Sequence, residues 1–200
     1  GGLAGMWAAA RWGVARGIFS NEAGLGSSGI AAASADTDDP VRQGYISMTG
    51  AFFDTIVICT VTGLAICCSG VLGAVDAAGN PVDGAALTIL AFETVLGEWG
   101  GKCIALSIVL FAFSTILGWE YQGETAYAYL TGGRGRMAYR LLYVLAALWG
   151  AGQRLETVYL FADLCNALMC VPNLLCLLAL HGEAVRAIRA APAPVRLRWR

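Results

Sequence analysis

The sequence predicts an all-α membrane protein, and three observations carry that prediction. Apolar residues make up 58% of the chain and charged residues only 14%, whereas a soluble domain is about 25% charged. The mean hydropathy is correspondingly high, at +0.64. The apolar residues gather into stretches near 3–35, 46–71, 102–129, 137–152 and 157–180, which predicts five spans given the roughly 20 residues a helix needs to cross a bilayer.

The first stretch is interrupted. Residues 16–27 (RGIFSNEAGLGS) place Arg16, Asn21, Glu22, two serines and three glycines inside an otherwise apolar segment. Non-helical backbone survives at membrane depth only where protein or a watery cavity satisfies its N–H and C=O groups, so this run predicts a broken helix and a binding site. A half-helix beginning after the break offers free N–H groups and a positive dipole end to a carboxylate, and unwound carbonyls suit a small cation. Two other readings compete here. Residues 24–29 match G-x-G-x-x-G, but a dinucleotide fingerprint needs a β-strand before it, and residues 8–17 do not read as one. The glycines and Ala31, Ala32, Ala33 and Ala35 also suit close helix packing. Packing does not explain Asn21 and Glu22, since an ionisable group near the bilayer centre costs roughly 2.5–3.5 kcal/mol.

Between the second and third spans, residues 71–101 carry the turn signals Gly79 to Pro81 and Asp83-Gly84 ahead of 85–96. This piece is too short and too polar to cross, and is expected to lie at the interface or cap a cavity. In the third span, FSTILGW (113–119) places Thr115 and Trp119 one helical turn apart with Ser114 beside them. Adjacent hydroxyls can supply oxygen ligands to Na⁺ and the indole can wall off a pocket, or both hydroxyls simply bond back to the preceding turn. Asp54 and Asp163 are the deeper ionisable groups, read either as coupling or gating residues or as hydrogen-bonded members of the bundle. Arg154 and Glu156 are expected in a solvated loop. Asn166 and Asn173 share a helix with Asp163, Pro172 is expected to kink it, and His181 is expected to cap its end.

Basic residues set the orientation. Arg42, Arg134, Arg136, Arg140, Arg186, Arg189, Arg196, Arg198 and Arg200 fall on one side, with Lys102 and Arg154 on the other. The bias places the first group, including a loosely ordered basic tail from 186 to 200, in the cytoplasm. The seven cysteines fall largely within apolar segments and read as free, buried thiols. With a single histidine, His181, a structural zinc site is not expected. The chain opens on Gly1-Gly2 without an initiator methionine, as expected of a C-terminal fragment.

Residues 16–27, then 40–44 (PVRQG), 54–60 (DTIVICT) and 113–119 (FSTILGW) resemble, in order, the alanine or glycine:cation symporter family, and Tyr139-Arg140, Ala162-Asp163 and 171–174 (VPNL) extend the resemblance to about Val185. It implies a leucine-transporter-like fold of two inverted five-helix repeats, of which residues 1–185 would be the second, with a discontinuous first helix. It also implies a multi-pass protein of a bacterial plasma membrane that imports a small neutral amino acid, alanine or glycine, with Na⁺ or H⁺. Phe19, Ser20, Asn21, Glu22, Gly24, Gly26 and Trp119 would then bind substrate and Ser114 and Thr115 would ligate Na⁺, with no other cofactor and no enzymatic chemistry. Residues 85–96 would cover the extracellular gate. The missing first repeat is expected to complete the site, and a remnant or half-transporter is the alternative. A membrane-embedded enzyme using Glu22 or Asp163 as acid or base lacks the accompanying constellation.

Overall fold

A computed structural model of the chain describes residues 2–191, and the described residues are almost wholly helical. The helices are α1 (Gly2–Ser20), α2 (Ser27–Ala32), α3 (Pro40–Phe52), a π-helical segment (Phe53–Ile58), α4 (Cys59–Ser69), α5 (Gly84–Thr131), α6 (Arg136–Ala151) and α7 (Leu155–Ala190). Two compact units emerge, one comprising residues up to 51 and from 137 onward, the other residues 52–136.

In the first unit, α1 ends where the sequence turns polar. Ala23 N–H donates to Ile18 O and Glu22 N–H to Phe19 O, the paired bonds of a Schellman termination. Glu22 occupies the left-handed position, at φ 52°, that glycine usually fills. The helix therefore breaks as the sequence predicts, but its continuation is shorter than expected. Helix α2 is six residues long, under two turns, and the chain leaves helix before 35. It is too short for the half-span dipole expected there. Asp39 then starts α3, its Oδ1 accepting from the Val41 and Arg42 amides at 3.0 Å each, with Pro40 at the first helical position, where no N–H is needed.

Helix occurs in each of the five predicted stretches, but in the first it covers only 3–20 and 27–32. Among the described residues, three helical stretches are long and apolar enough to cross a membrane: Pro40–Ser69, Gly84–Thr131 and Leu155–Ala190. Helix α1 carries Arg11 and Arg16 within 19 residues. Helix α6 has 16 residues, about 24 Å at 1.5 Å per residue, against a hydrocarbon core of about 30 Å. Helix α7 runs through Pro172 and continues to Ala190. His181 is thus mid-helix, its Nδ1 at 2.8 Å from Leu178 O, rather than at the helix end. Arg186 and Arg189, assigned to the tail, are helical too, and residues 192–200 of that tail lie outside the described residues.

In the second unit, Gly70 ends α4 in a left-handed conformation. The loop after it folds around Asp76, whose Oδ1 accepts from the Ala78 and Asn80 amides at 2.8 Å each. The Asp76 amide donates to Asn80 O, and Val75 pairs with Pro81. The expected short helix is present at 84–96, and Gly97 (φ 73°, ψ −175°) sets it off from 98–131 within α5. Gly100 makes that corner possible, since a Cβ there would lie 2.3 Å from Leu96 Cβ.

The thiols are free, but Cys59, Cys67, Cys68, Cys103 and Cys176 are exposed on their helices, with Cys165 and Cys170 half-buried. The expectation of burial in a protein core thus fails for these residues. An apolar residue facing lipid needs no such core.

Two variants and one titration test this architecture. Gly100→Ala is expected to destabilise the detergent-purified protein by about 1–3 kcal/mol through the clash with Leu96. Gly63→Ala, where a Cβ meets nothing within 4 Å, is expected to be neutral or slightly stabilising; thermal unfolding of both variants checks the contrast. For Asp76, the Asn80 amide, then the Asn80 side chain, then the Ala78 and Gly79 amides hold the carboxyl below its usual range. A depressed folded-state pKa contributes stability that is present above the unfolded value and lost as pH falls through the folded one. The difference in unfolding midpoint between wild type and Asp76→Ala should accordingly shrink below about pH 4.

Candidate functional site

The polar turn after α1 is held by α7. The Asn173 side chain donates from Nδ2 to Gly24 O at 2.9 Å. Its Oδ1 lies where a Cβ on Gly26 would come within 2.8 Å. Gly24 and Gly26 both have positive φ, 77° and 85°, so glycine is required at Gly26 for conformation and for space. On the other side of the turn Gly24 faces Leu174 and Cys170. Within the turn, Ser27 Oγ donates to Glu22 Oε2, and Leu25 and Ser27 are both 4% exposed. The sequence's polar groups thus satisfy one another and the backbone, which is what an irregular segment in apolar surroundings requires.

One turn back along α1, Arg16 makes the second attachment. Its Nη2 lies 2.6 Å from Asp163 Oδ2. The guanidinium sits 4.3 Å from the centre of the Tyr159 ring, 5.6 Å from Trp12 and 6.0 Å from Phe19. Phe19 and Tyr159 meet edge to face at 6.3 Å. The aromatic faces offer the cation a favourable quadrupole. Both partners retain some exposure, 27% for Arg16 and 48% for Asp163, so the pair is worth less than a sealed one. Tyr159, Asp163, Cys170 and Asn173 recur at helical spacing, on one face of α7. The Arg16–Asp163 and Gly24–Asn173 contacts advance in the same sense along both segments.

Of the predicted substrate residues, Phe19 lies in the Arg16 cage and Ser20 is the last residue of α1. The Asn21 amide donates to Gly17 O at 3.0 Å, and Glu22, Gly24 and Gly26 form the turn. The G-x-G-x-x-G match comes after a helix rather than a strand, which removes the dinucleotide reading. Sequence reasoning does not single out Tyr159, and it gives Asn173 no partner. The helical spacing of Tyr159, Asp163 and Asn173 along one stretch is the signal that could have joined them.

In the second unit, Ser114 Oγ and Thr115 Oγ1 both donate to Phe111 O, at 2.8 and 2.9 Å. This is the back-bonding alternative. It uses each hydroxyl's proton and leaves oxygen lone pairs as acceptors. Trp119 lies one turn beyond Thr115 and is half-buried. Further along α5, Gln122 and Glu124 are buried at 8% exposure each, and Arg136 Nε approaches Glu124 Oε1 at 3.9 Å. The loop after α5 brings Gly135 against the Tyr127 hydroxyl. Asp54, the other deep carboxylate, lies in the π-helical segment. Arg154 precedes α7 and Glu156 lies in its first turn.

A family model described as the sodium:alanine symporter family matches residues 1–192. The sodium/alanine symporter AgcS of Methanococcus maripaludis is 47% identical over 182 residues, covering 90% of this chain and 39% of that protein. The probable sodium/glutamine symporter GlnT of Bacillus subtilis is 37% identical over 186 residues, covering 92% of this chain and 38% of the relative. A putative sodium/proton-dependent alanine carrier of the same organism, YrbD, is 31% identical over 201 residues, covering 94% and 41%. The chain spans about two fifths of the length of these relatives.

The packing at Gly26 generates a direct test. Gly26→Ala should destabilise the protein by roughly 1–2 kcal/mol from the left-handed backbone alone, plus the cost of displacing Asn173. Combined with Asn173→Ala, the two losses should sum to less than the separate losses, because the clash term disappears. Thermal unfolding of the two single variants and the double variant measures that coupling.

Proposed function

The chain belongs to the sodium:alanine symporter family, and from that premise we propose that it forms part of a secondary active transporter that couples entry of a small neutral amino acid, alanine or glycine, to Na⁺. The observation that carries the reading is the polar break at residues 20–26, an irregular backbone segment docked on the apolar helix α7 by Asn173 and flanked by the Arg16–Asp163 pair. Such segments are kept in apolar surroundings for binding rather than for stability. The names of the relatives, sodium/alanine, sodium/glutamine and sodium/proton-dependent alanine carriers, support the reaction class.

In this reading Phe19, Ser20, Asn21, Glu22, Gly24 and Gly26 bind substrate, with Trp119 shaping an apolar pocket. The lone pairs of Ser114 and Thr115, pointing away from their donated protons, ligate Na⁺. Residues 1–185 form the second five-helix repeat of a leucine-transporter-like fold in the plasma membrane, with the C-terminus in the cytoplasm. One feature supports this arrangement: helix occurs within each of the five expected stretches, and the first of them is broken at 21–26. A first repeat supplies the remainder of the ion and substrate sites.

The test is uptake of labelled alanine into proteoliposomes containing the protein expressed at full length, with and without a Na⁺ gradient. Uptake should depend on inward Na⁺. Thr115→Ala should raise the Na⁺ concentration for half-maximal uptake several-fold, and Asn21→Ala should weaken alanine uptake. Uptake indifferent to Na⁺, or unchanged in both variants, overturns the assignments.

A further inference from the structure

The two attachments between the polar turn and α7 differ in kind, and that difference points to a moving part. At Asn173 the contact is neutral, with one good hydrogen bond to Gly24 O and close packing against Gly26 that leaves no room even for a methyl group. At Arg16 the contact is ionic and incomplete. A guanidinium can meet a carboxylate through two parallel bonds, yet here only Nη2 reaches Asp163, and Nε and Nη1 are buried without a hydrogen-bond partner. Buried donors left unmade are unusual and call for a reason. Aromatic faces surround the cation, while the Asp163 side chain stays 48% exposed, so water can replace Arg16 at the carboxylate when the two separate.

Between the attachments lies the only kind of backbone able to absorb a change of direction. Residues 21–23, between Arg16's helix and the Asn173 contacts at Gly24 and Gly26, are non-helical, with Glu22 at positive φ. Few-residue segments at the end of a helix are where hinges form. A rigid helix carrying a breakable charged contact in its last turns, followed by a turn whose far part is held by a fixed neutral contact, is the arrangement of a latch on a hinge.

We propose that Arg16 and Asp163 form a gating latch: the pair is closed in this structure and opens during the transport cycle, while Asn173 keeps the turn pinned to α7 as the pivot. The proposal rests on the symporter reading and deepens it: Asp163, which the sequence offers for coupling or gating, acquires Arg16 as its partner. Neither Arg16 nor Asp163 touches substrate in it. They set the relative stability of two conformations, and a pair that is too strong or absent shifts that balance without altering the binding groups themselves.

The experiment tethers the latch. In the protein expressed at full length, Arg16→Cys and Asp163→Cys are introduced together, which removes both charges and strands neither, and are bridged by a short bis-methanethiosulfonate, each cysteine thiolate displacing methanesulfinate to form a reducible disulfide, with the 16–163 link verified by mass spectrometry. Uptake of alanine is compared before bridging, after bridging and after reduction, alongside equilibrium alanine binding, and referred to Arg16→Cys alone treated in the same way. Bridging is expected to reduce uptake at least tenfold and reduction to restore it, with alanine affinity changed less than threefold. Uptake by the bridged protein at the unbridged rate overturns the latch. Should the double variant fail to fold, Asp163→Asn decides: a latch lowers the uptake rate at least fivefold with affinity within twofold. A change in both together, or in neither, overturns it. Wild-type protein without Na⁺-driven uptake of alanine overturns the symporter reading and the latch with it, whereas a transporting wild type with an indifferent bridge overturns the latch alone.

Discussion

The hydrogen bond from Asn173 to the Gly24 carbonyl is the contact on which the candidate site depends. An apolar environment gives irregular backbone no water to bond, so a turn placed there must draw its partners from the protein. The chain meets this need locally, through the Schellman bonds to Ile18 and Phe19 and the Ser27–Glu22 bond, and at long range through an amide 149 residues away along the chain. That long-range bond lets α1 stop at Ser20 beside α7 instead of running on. Position 173 also demands Gly26, because the same side chain that donates to the Gly24 carbonyl occupies the space above the next glycine.

Much of this was legible in sequence. The break at 20–26, the helical stretches, the loop around Gly79 to Pro81 and the short helix at 85–96 all arise from apolar length and from glycine, asparagine and proline at turns. Less visible was the path of the chain beyond the break. The run of small residues at 27–35 reads as the rest of a span, but helix persists only to Ala32, since Ser34, Asp36 and Asp38 just beyond favour turns over helix. Likewise, hydropathy places the end of α7 near 180, yet the backbone continues to Ala190 because Arg and Glu are good helix formers that hydropathy alone does not credit. Pairings were the least legible. Arg16, Asp163 and Asn173 each stand out as polar groups in apolar stretches, but only tertiary structure shows which of them meet.

At Ser114 and Thr115 a local bond is compatible with the proposed role in cation binding. Their donation to Phe111 O satisfies the hydroxyl protons within the helix, so the side chains need no external acceptor to remain in apolar surroundings. The same geometry fixes where the oxygens point. A ligand for a hard cation needs oriented oxygen more than it needs a proton, and back-bonding is one way for a helix to orient it.

The π-helical segment at Phe53–Ile58 bears on how this region of the chain accommodates change. One additional residue in an α-helix rotates everything downstream by about 100°, which would carry the apolar and polar faces of α4 away from their neighbours. A wide turn takes up such a residue on the spot, so the helix before it and the helix after it keep their facing directions. Asp54 and Thr55 therefore sit at the one place in Pro40–Ser69 where length can be gained or lost while the rest of that helix holds its register, as a splice rather than as a link.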